Sequence, residues 1–216
     1  MKIAFLVDVH GRFDAVPDAM REIGQVDLLI IGGDITTAGT PADAASAVES
    51  WRQLAPHLLA LAGNMDSPAI DARLAELGVA LDGRGVPFGE VGVFGVSAAP
   101  MSPLNTPYEV SEEELERRVE VGFDSVRTCP VKVFCPHAPP KGTACDRLRS
   151  GEHVGSVAIR DFVEREQPDV VLCGHVHEAR GMDELGKSRV VNPGPAAAGH
   201  YALVAIDEEV SVRLDG

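Results

Sequence analysis

Seven side chains of metal-ligating type stand in this sequence, each just past an apolar run. Asp8 and His10 follow KIAFLV, Asp34 follows LLIIGG, Asn64 follows LLALAG, His137 follows VFCP, and His175 with His177 follow VVLCG. A mixture of carboxylate, imidazole and amide oxygen suits Mn, Fe, Zn, Co or Ni, and is too rich in nitrogen for a dedicated Ca or Mg site. Residues i and i+2 of an extended chain point the same way. Asp8 with His10, and His175 with His177, are therefore each expected to aim two ligands at one centre. Gly32, Gly33, Gly63 and Gly174 are expected to let the backbone turn sharply before a ligand. A lone histidine after a strand is most often a satisfied polar residue; His10, His137, His175 and His177 in one shared context are read as ligands.

The elements that must carry these residues alternate in the first half of the chain. Apolar runs at residues 2–7, 27–33 and 57–63 read as buried strands. Helical patterns over 13–24, from Pro41 onwards and over 68–77 separate them, the last closed by Gly78. That alternation argues for an α/β fold with strands buried on both faces. In open α/β sheets, ligands bind in the crevice beyond the carboxyl ends of the strands. Further strands are expected at 92–99, 131–135 and 169–173. A helix begins at Ser111, where Ser111 and Glu114 suggest a capping box, and another covers 156–166. From residue 180 the pattern shifts to short alternating strands at 188–191, 201–206 and 210–214, where antiparallel pairing is expected. Without repeat, low-complexity segment or linker, residues 1–216 read as a single domain.

Bulk composition narrows the partners. The chain has 216 residues and a formal net charge of −14, from 19 basic and 33 acidic side chains. That field repels nucleic acid and anionic membrane, which argues against non-specific nucleic-acid binding. No apolar run approaches the roughly 18 residues of a membrane span. The opening MKIAFLVDVHGRFD lacks the pattern of a signal peptide, which points to the cytoplasm. Cys129, Cys135, Cys145 and Cys173 show no CxxC spacing, and Cys135 and Cys173 read as buried free thiols.

In order, the blocks DVH, GGD, GNMD, PHAPP and GHVH resemble the calcineurin-like metallophosphoesterase superfamily, whose motifs are D-x-H, G-D, G-N-H-D/E, H and G-H-x-H. The resemblance spans residues 8 to 177. It implies a four-layer αββα sandwich of two mixed β-sheets flanked by helices, with two divalent transition-metal ions at one edge, Mn favoured. It further implies one ion on Asp8, His10, Asp34 and His177, and another on Asp34, Asn64, His137 and His175, with Asp34 bridging. The segment NPGPA (192–196) is similar to an Asn-Pro-Gly turn of the small bacterial and archaeal phosphodiesterases in this superfamily, and is expected to shape the site wall.

One departure matters. The superfamily's histidine after the asparagine, assigned as the general acid, is Met65 here, and a thioether cannot donate a proton. Asp66 then has no histidine to orient and reads either as a group behind the ligands or as a turn cap. General acid catalysis is worth about 10²–10⁴-fold. The resemblance therefore implies a phosphodiesterase rather than a phosphomonoesterase, hydrolysing a small phosphoester by in-line attack of a hydroxide bridging two metals, with Asp34, Asn64 and His137 in the machinery. Three routes replace the missing acid: a substrate with a good leaving group, another acid such as His153 or His200, or low turnover. The alternative is a catalytically weak metal-binding or protein-interaction scaffold of the same fold. A homo-oligomer is compatible with either. The loops at 100–112 and 138–155, the second with Lys141, Arg147 and Arg149, are expected to set specificity. Arg12 and Glu112 to Glu114 read as solvated, and His57 as structural.

Overall fold

Strand and helix alternate through the first half of the computed structural model, which describes residues 1–216. β1 (Lys2–Leu6), β2 (Leu28–Ile31) and β3 (His57–Ala60) are separated by α1 (Ala15–Ile23) and α2 (Pro41–Trp51), and α3 (Pro68–Glu76) follows β3. The second half holds β4 (Arg84–Phe88), β5 (Val91–Val96), the short β6 (Ala99–Pro100) and β7 (Glu109–Val110), α4 (Glu112–Asp124), β8 (Val131–Pro136), α5 (Val157–Glu166) and β9 (Val170–Leu172). β10 (Gly181–Leu185), β11 (Ser188–Asn192), β12 (Tyr201–Ile206) and β13 (Val210–Asp215) complete the chain. No helix is long and apolar enough to cross a membrane.

Two large mixed sheets result. The first has the order β13-β12-β1-β2-β3 and the second β10-β11-β9-β8-β5-β4. Their central strands run parallel; antiparallel strands close both edges of the second sheet and the β13 edge of the first, whose other edge is the parallel β3. Alternate residues of a strand face opposite ways, so β1 serves two cores. Ala4 and Leu6 pack with Val16, Val48, Trp51 and Leu74 of the first three helices. Ile3 and Phe5 pack between the sheets against Val93, Val133 and Leu172. On the outer face of the second sheet, Phe94 and Phe134 stack with ring centroids 4.7 Å apart beneath Phe123 and Phe162 of α4 and α5. The layers are helix, sheet, sheet, helix, in agreement with the αββα expectation.

Several local expectations change. The sequence reading places no strand over 84–88 or 181–185, yet both form edges of the second sheet. RGVPF carries a Gly and a Pro, and an edge position is where a proline without an N–H is tolerated. The Ser111 hydroxyl does cap Glu114 N–H, but the reciprocal half of the box is missing, because the Glu114 carboxylate takes Arg117 and Arg118. A complete box forms instead at Thr40 and Asp43. Glu112 is not merely solvated: its carboxylate accepts from the Ser156 hydroxyl and from Val157 and Ala158 N–H, capping α5 with a charge that suits a helix N-terminus.

Candidate metal centre

The site begins where the parallel ladders outrun the strands. Gly32 N–H donates to Leu6 carbonyl, Asp8 N–H to Gly33 carbonyl, His10 N–H to Asp34 carbonyl and Gly11 N–H to Ile35 carbonyl. The chains after β1 and β2 thus stay zipped together and hold Asp8, His10 and Asp34 side by side. In the second sheet, His137 N–H donates to Val96 carbonyl and Gly174 N–H to His137 carbonyl, which aligns the ends of β5, β8 and β9. The two sheets meet where His175 N–H reaches the Asp8 carboxylate at 3.1 Å.

The backbone here is not extended. Asp8, His10, Asp34 and His175 have φ of 57°, 51°, 48° and 67°. An L-residue in that left-handed region costs roughly 1–2 kcal/mol, and persists where the surrounding structure over-determines it. The convergence of Asp8 with His10 therefore comes from left-handed turns, which corrects the i, i+2 argument. The glycines also act differently from expectation. Among the four, Gly33 alone has a positive φ, at 108°. Gly63 is needed for approach: a Cβ there would overlap Asp34 Oδ1 and the His137 ring.

The seven residues come together in two adjoining sets. Donor atoms of Asp8, His10, Asp34 and His177 all lie within 4.8 Å of one another. His10 Nε2 is 3.0 Å from His177 Nε2 and 3.7 Å from Asp34 Oδ2. His177 Nε2 is 3.7 Å from Asp8 Oδ2. On the other side of Asp34, its Oδ1 lies 3.6 Å from His137 Nε2. Asn64 Oδ1 lies 3.1 Å from His137 Nε2 and 2.6 Å from His175 Nδ1. Gly32 carbonyl, 2.9 Å from His137 Nδ1, can only accept, so Nδ1 carries the proton and Nε2 offers a lone pair. That lone pair faces another acceptor, Asn64 Oδ1, with no hydrogen between them. Such crowding of acceptors is what a shared cation relieves.

Charge supports the same fit. Asp8 and Asp34 are buried, and no Lys or Arg pairs with either. Burial, with Asp66 as a neighbouring charge, pushes the Asp8 carboxyl up to about 8 against the backbone donor His175. Asp34 is raised well above the carboxylate range by burial and by Asp8. Burial lowers His10 and His175 to about 4, so their imidazoles are neutral ligands at pH 7. Protons and metal ions then compete for the carboxylates, and metal uptake at pH 7 is expected to release on the order of one to two protons. Affinity should rise with pH as Asp8 loses its proton near pH 8. Calorimetric titration in buffers of different ionisation enthalpy reads that proton count directly.

Around this set, Asp66 accepts from Ile35, Thr36 and Gly63 N–H and from the Thr36 hydroxyl. It ties the Asp34 turn to the Asn64 turn, a clear role for a carboxylate with no histidine to orient. Met65 uses only its backbone, donating from N–H to Asp34 Oδ1 at 2.7 Å and accepting Ala38 N–H at 2.8 Å. Arg12 is exposed and donates to Ala197 carbonyl. His153 pairs with buried Asp146 at 2.6 Å, and neither it nor His200 hydrogen-bonds to any of the seven. His153, Arg147 and Arg149 line a cleft of about 460 Å³ with Glu178, the residue after His177. His57 is exposed beside Phe88. Cys135, Cys145 and Cys173 are buried free thiols. Thr37 is a contributor that the sequence does not signal, whereas Asn192 opens the NPGPA segment expected at the site wall. Thr37 Oγ1 sits 3.0 Å from His10 Nδ1, and Asn192 contacts the carbonyl of Val176, between His175 and His177. Neither belongs to a ligand block, and the contact each makes is set by the folded chain.

Comparison with known proteins points the same way. The family model for calcineurin-like phosphoesterases matches residues 1–179. An uncharacterised protein of Methanocaldococcus jannaschii is 31% identical over 202 residues, covering 90% of this chain and 88% of that one. A crystal structure from Thermus thermophilus superposes with a TM-score of 0.75 at 18% identity, covering 98% of this chain and 97% of that one. A dimetal phosphatase from Danio rerio gives 0.60 at 10% identity, covering 99% and 95%. At these identities the two structures show the shared fold.

Proposed function

The chain belongs to the calcineurin-like phosphoesterase family, and on that premise we propose that residues 1–216 act as one domain holding two divalent metal ions, Mn favoured, and hydrolysing small phosphodiesters. The observation that carries this reading is the convergence on Asp34. One carboxylate oxygen faces His10, and the other faces His137. One ion would rest on Asp8, His10, Asp34 and His177, and the other on Asp34, Asn64, His137 and His175. When bound, such a pair supplies a water of lowered pKa and positive charge against the phosphoryl oxygens.

The chain's own groups prepare that chemistry. The Gly32 carbonyl holds His137 in one tautomer, and Thr37 orients His10. The left-handed turns keep the donors converged before any ligand arrives, so little reorganisation is needed on binding. Cys173, two residues before His175, is buried with its thiol held well above the usual range by burial, and is no nucleophile. With Met65 in place of a proton donor, the leaving oxygen must depart unaided or be protonated from elsewhere. That favours phosphodiesters with good leaving groups. The Arg147 and Arg149 cleft beside His177, with His153, is placed to receive the rest of such a substrate. The charge of −14 favours small substrates over polymeric nucleic acid, and four unbridged cysteines suit a reducing compartment such as the cytoplasm.

The test is hydrolysis by metal-stripped protein resupplied with Mn, using bis-p-nitrophenyl phosphate against p-nitrophenyl phosphate. Turnover of both is expected to require Mn, with the diester faster. A faster monoester would contradict the diesterase assignment. Metal bound without turnover of either ester would favour the scaffold, for which Met65 is the supporting residue.

A further inference from the structure

Asn192 ends β11 and is fully buried. Its Nδ2 donates to the carbonyls of Val176 at 2.9 Å and Cys145 at 3.3 Å, and its Oδ1 accepts Gly194 N–H at 2.9 Å. Both amide hydrogens and the amide oxygen are therefore used. Val176 is the residue between His175 and His177. Its own N–H is bound to Gly174 carbonyl at 2.7 Å, and its carbonyl accepts Ala179 N–H at 3.0 Å, so Asn192 adds the tie that links this carbonyl to β11. The chain then turns and reaches the other sheet. Ala196 N–H donates to Val7 carbonyl at 2.7 Å, and Ala197 N–H to Asp8 carbonyl at 3.3 Å. One short connection between β11 and β12 thereby grips the backbone of Asp8 on the first sheet and the backbone between His175 and His177 on the second.

We propose that Asn192 is a positioning residue for the metal centre: it sets His177 against His10 and Asp8, and His175 against Asn64. This rests on the ligand assignment given above. The amide is suited because the groups it must meet are two acceptors and one donor. In Asn192→Asp the shape is kept, but a carboxylate oxygen faces two carbonyls and both donations are lost. The Val176 carbonyl then keeps Ala179 N–H alone and is repelled by the carboxylate, and the two imidazoles beside it move off their shared centre.

The test is Mn titration of stripped wild type, Asn192→Asp, Asn192→Ala and a control cavity variant, Val119→Ala, in the core under α4. Visible absorption of Co(II)-loaded protein reads coordination geometry alongside. Changes in groups that orient ligands typically cost 10–100-fold in metal affinity, and that loss, with an altered Co(II) spectrum, is expected for both Asn192 variants. Val119→Ala should lose thermal stability while keeping wild-type affinity and spectrum. Asn192 variants that lose stability alone, with affinity and spectrum unchanged, would overturn the positioning role. A chain that cannot fold without Asn192 would overturn it too, making the residue a determinant of fold. Wild type that binds no Mn would instead overturn the metal assignment itself, an outcome distinct from failure of Asn192 alone.

Discussion

Asp34→Asn is expected to abolish metal-dependent phosphoester hydrolysis while leaving the chain folded. Asp34 is the one side chain that faces both ligand sets, with Oδ2 3.7 Å from His10 Nε2 and Oδ1 3.6 Å from His137 Nε2. The amide removes a negative charge and presents an NH₂ where one oxygen stood. Changes that only orient ligands cost about 10–100-fold, so loss of the shared ligand should exceed about 100-fold in activity. The fold should survive, because a neutral group replaces a carboxylate that burial already drives towards its protonated form. The Met65 N–H bond to Oδ1 can be kept by the amide oxygen. Steady-state rates with Mn, paired with thermal melts of stripped protein, check both halves. Retained Mn-dependent turnover would refute the shared-ligand role.

Met65→His is expected to raise activity, and only on substrates that need a proton. The two hydrogen bonds Met65 makes are through its backbone, so a new side chain should leave the Asp34 and Ala38 bonds in place. Full general acid catalysis is worth about 10²–10⁴-fold, and a gain near 10-fold is expected here. The smaller figure follows from Asp66. Its oxygens are committed to three backbone N–H groups and the Thr36 hydroxyl, so it cannot orient a new imidazole without giving up a bond. A p-nitrophenolate leaves without protonation, whereas an alkoxide does not. The gain should therefore appear with an alkyl leaving group and vanish with p-nitrophenyl. An equal gain on both would point to repacking of the site rather than to an acid.

The candidate ligands were legible because each one follows an apolar strand, and strand ends are readable locally. The same runs pointed to an α/β sandwich of two sheets, and the four-layer order came from the family resemblance. What escaped it was set by contacts distant in sequence. The left-handed backbone of Asp8 and His10 is imposed by the ladder to Gly33 and Asp34, and no local pattern signals it. Glu112 looked like a solvated helix face and instead caps α5, 45 residues away in the case of Val157. β4 and β10 lack a continuous apolar run because edge strands need not be buried on both faces. The role of Asp66 was hidden for the same reason, since it lies in the three backbone donors that its carboxylate accepts.

The central claim is that one chain holds two metal ions around Asp34. Its most direct measurement is the metal-to-protein ratio, by elemental analysis, of stripped wild type saturated with Mn and freed of excess. Two ions per chain in wild type, with both lost in Asp34→Asn, is the result expected from an arrangement in which the two sets share that carboxylate. A single ion in wild type, or one ion kept by Asp34→Asn at wild-type affinity, would contradict it.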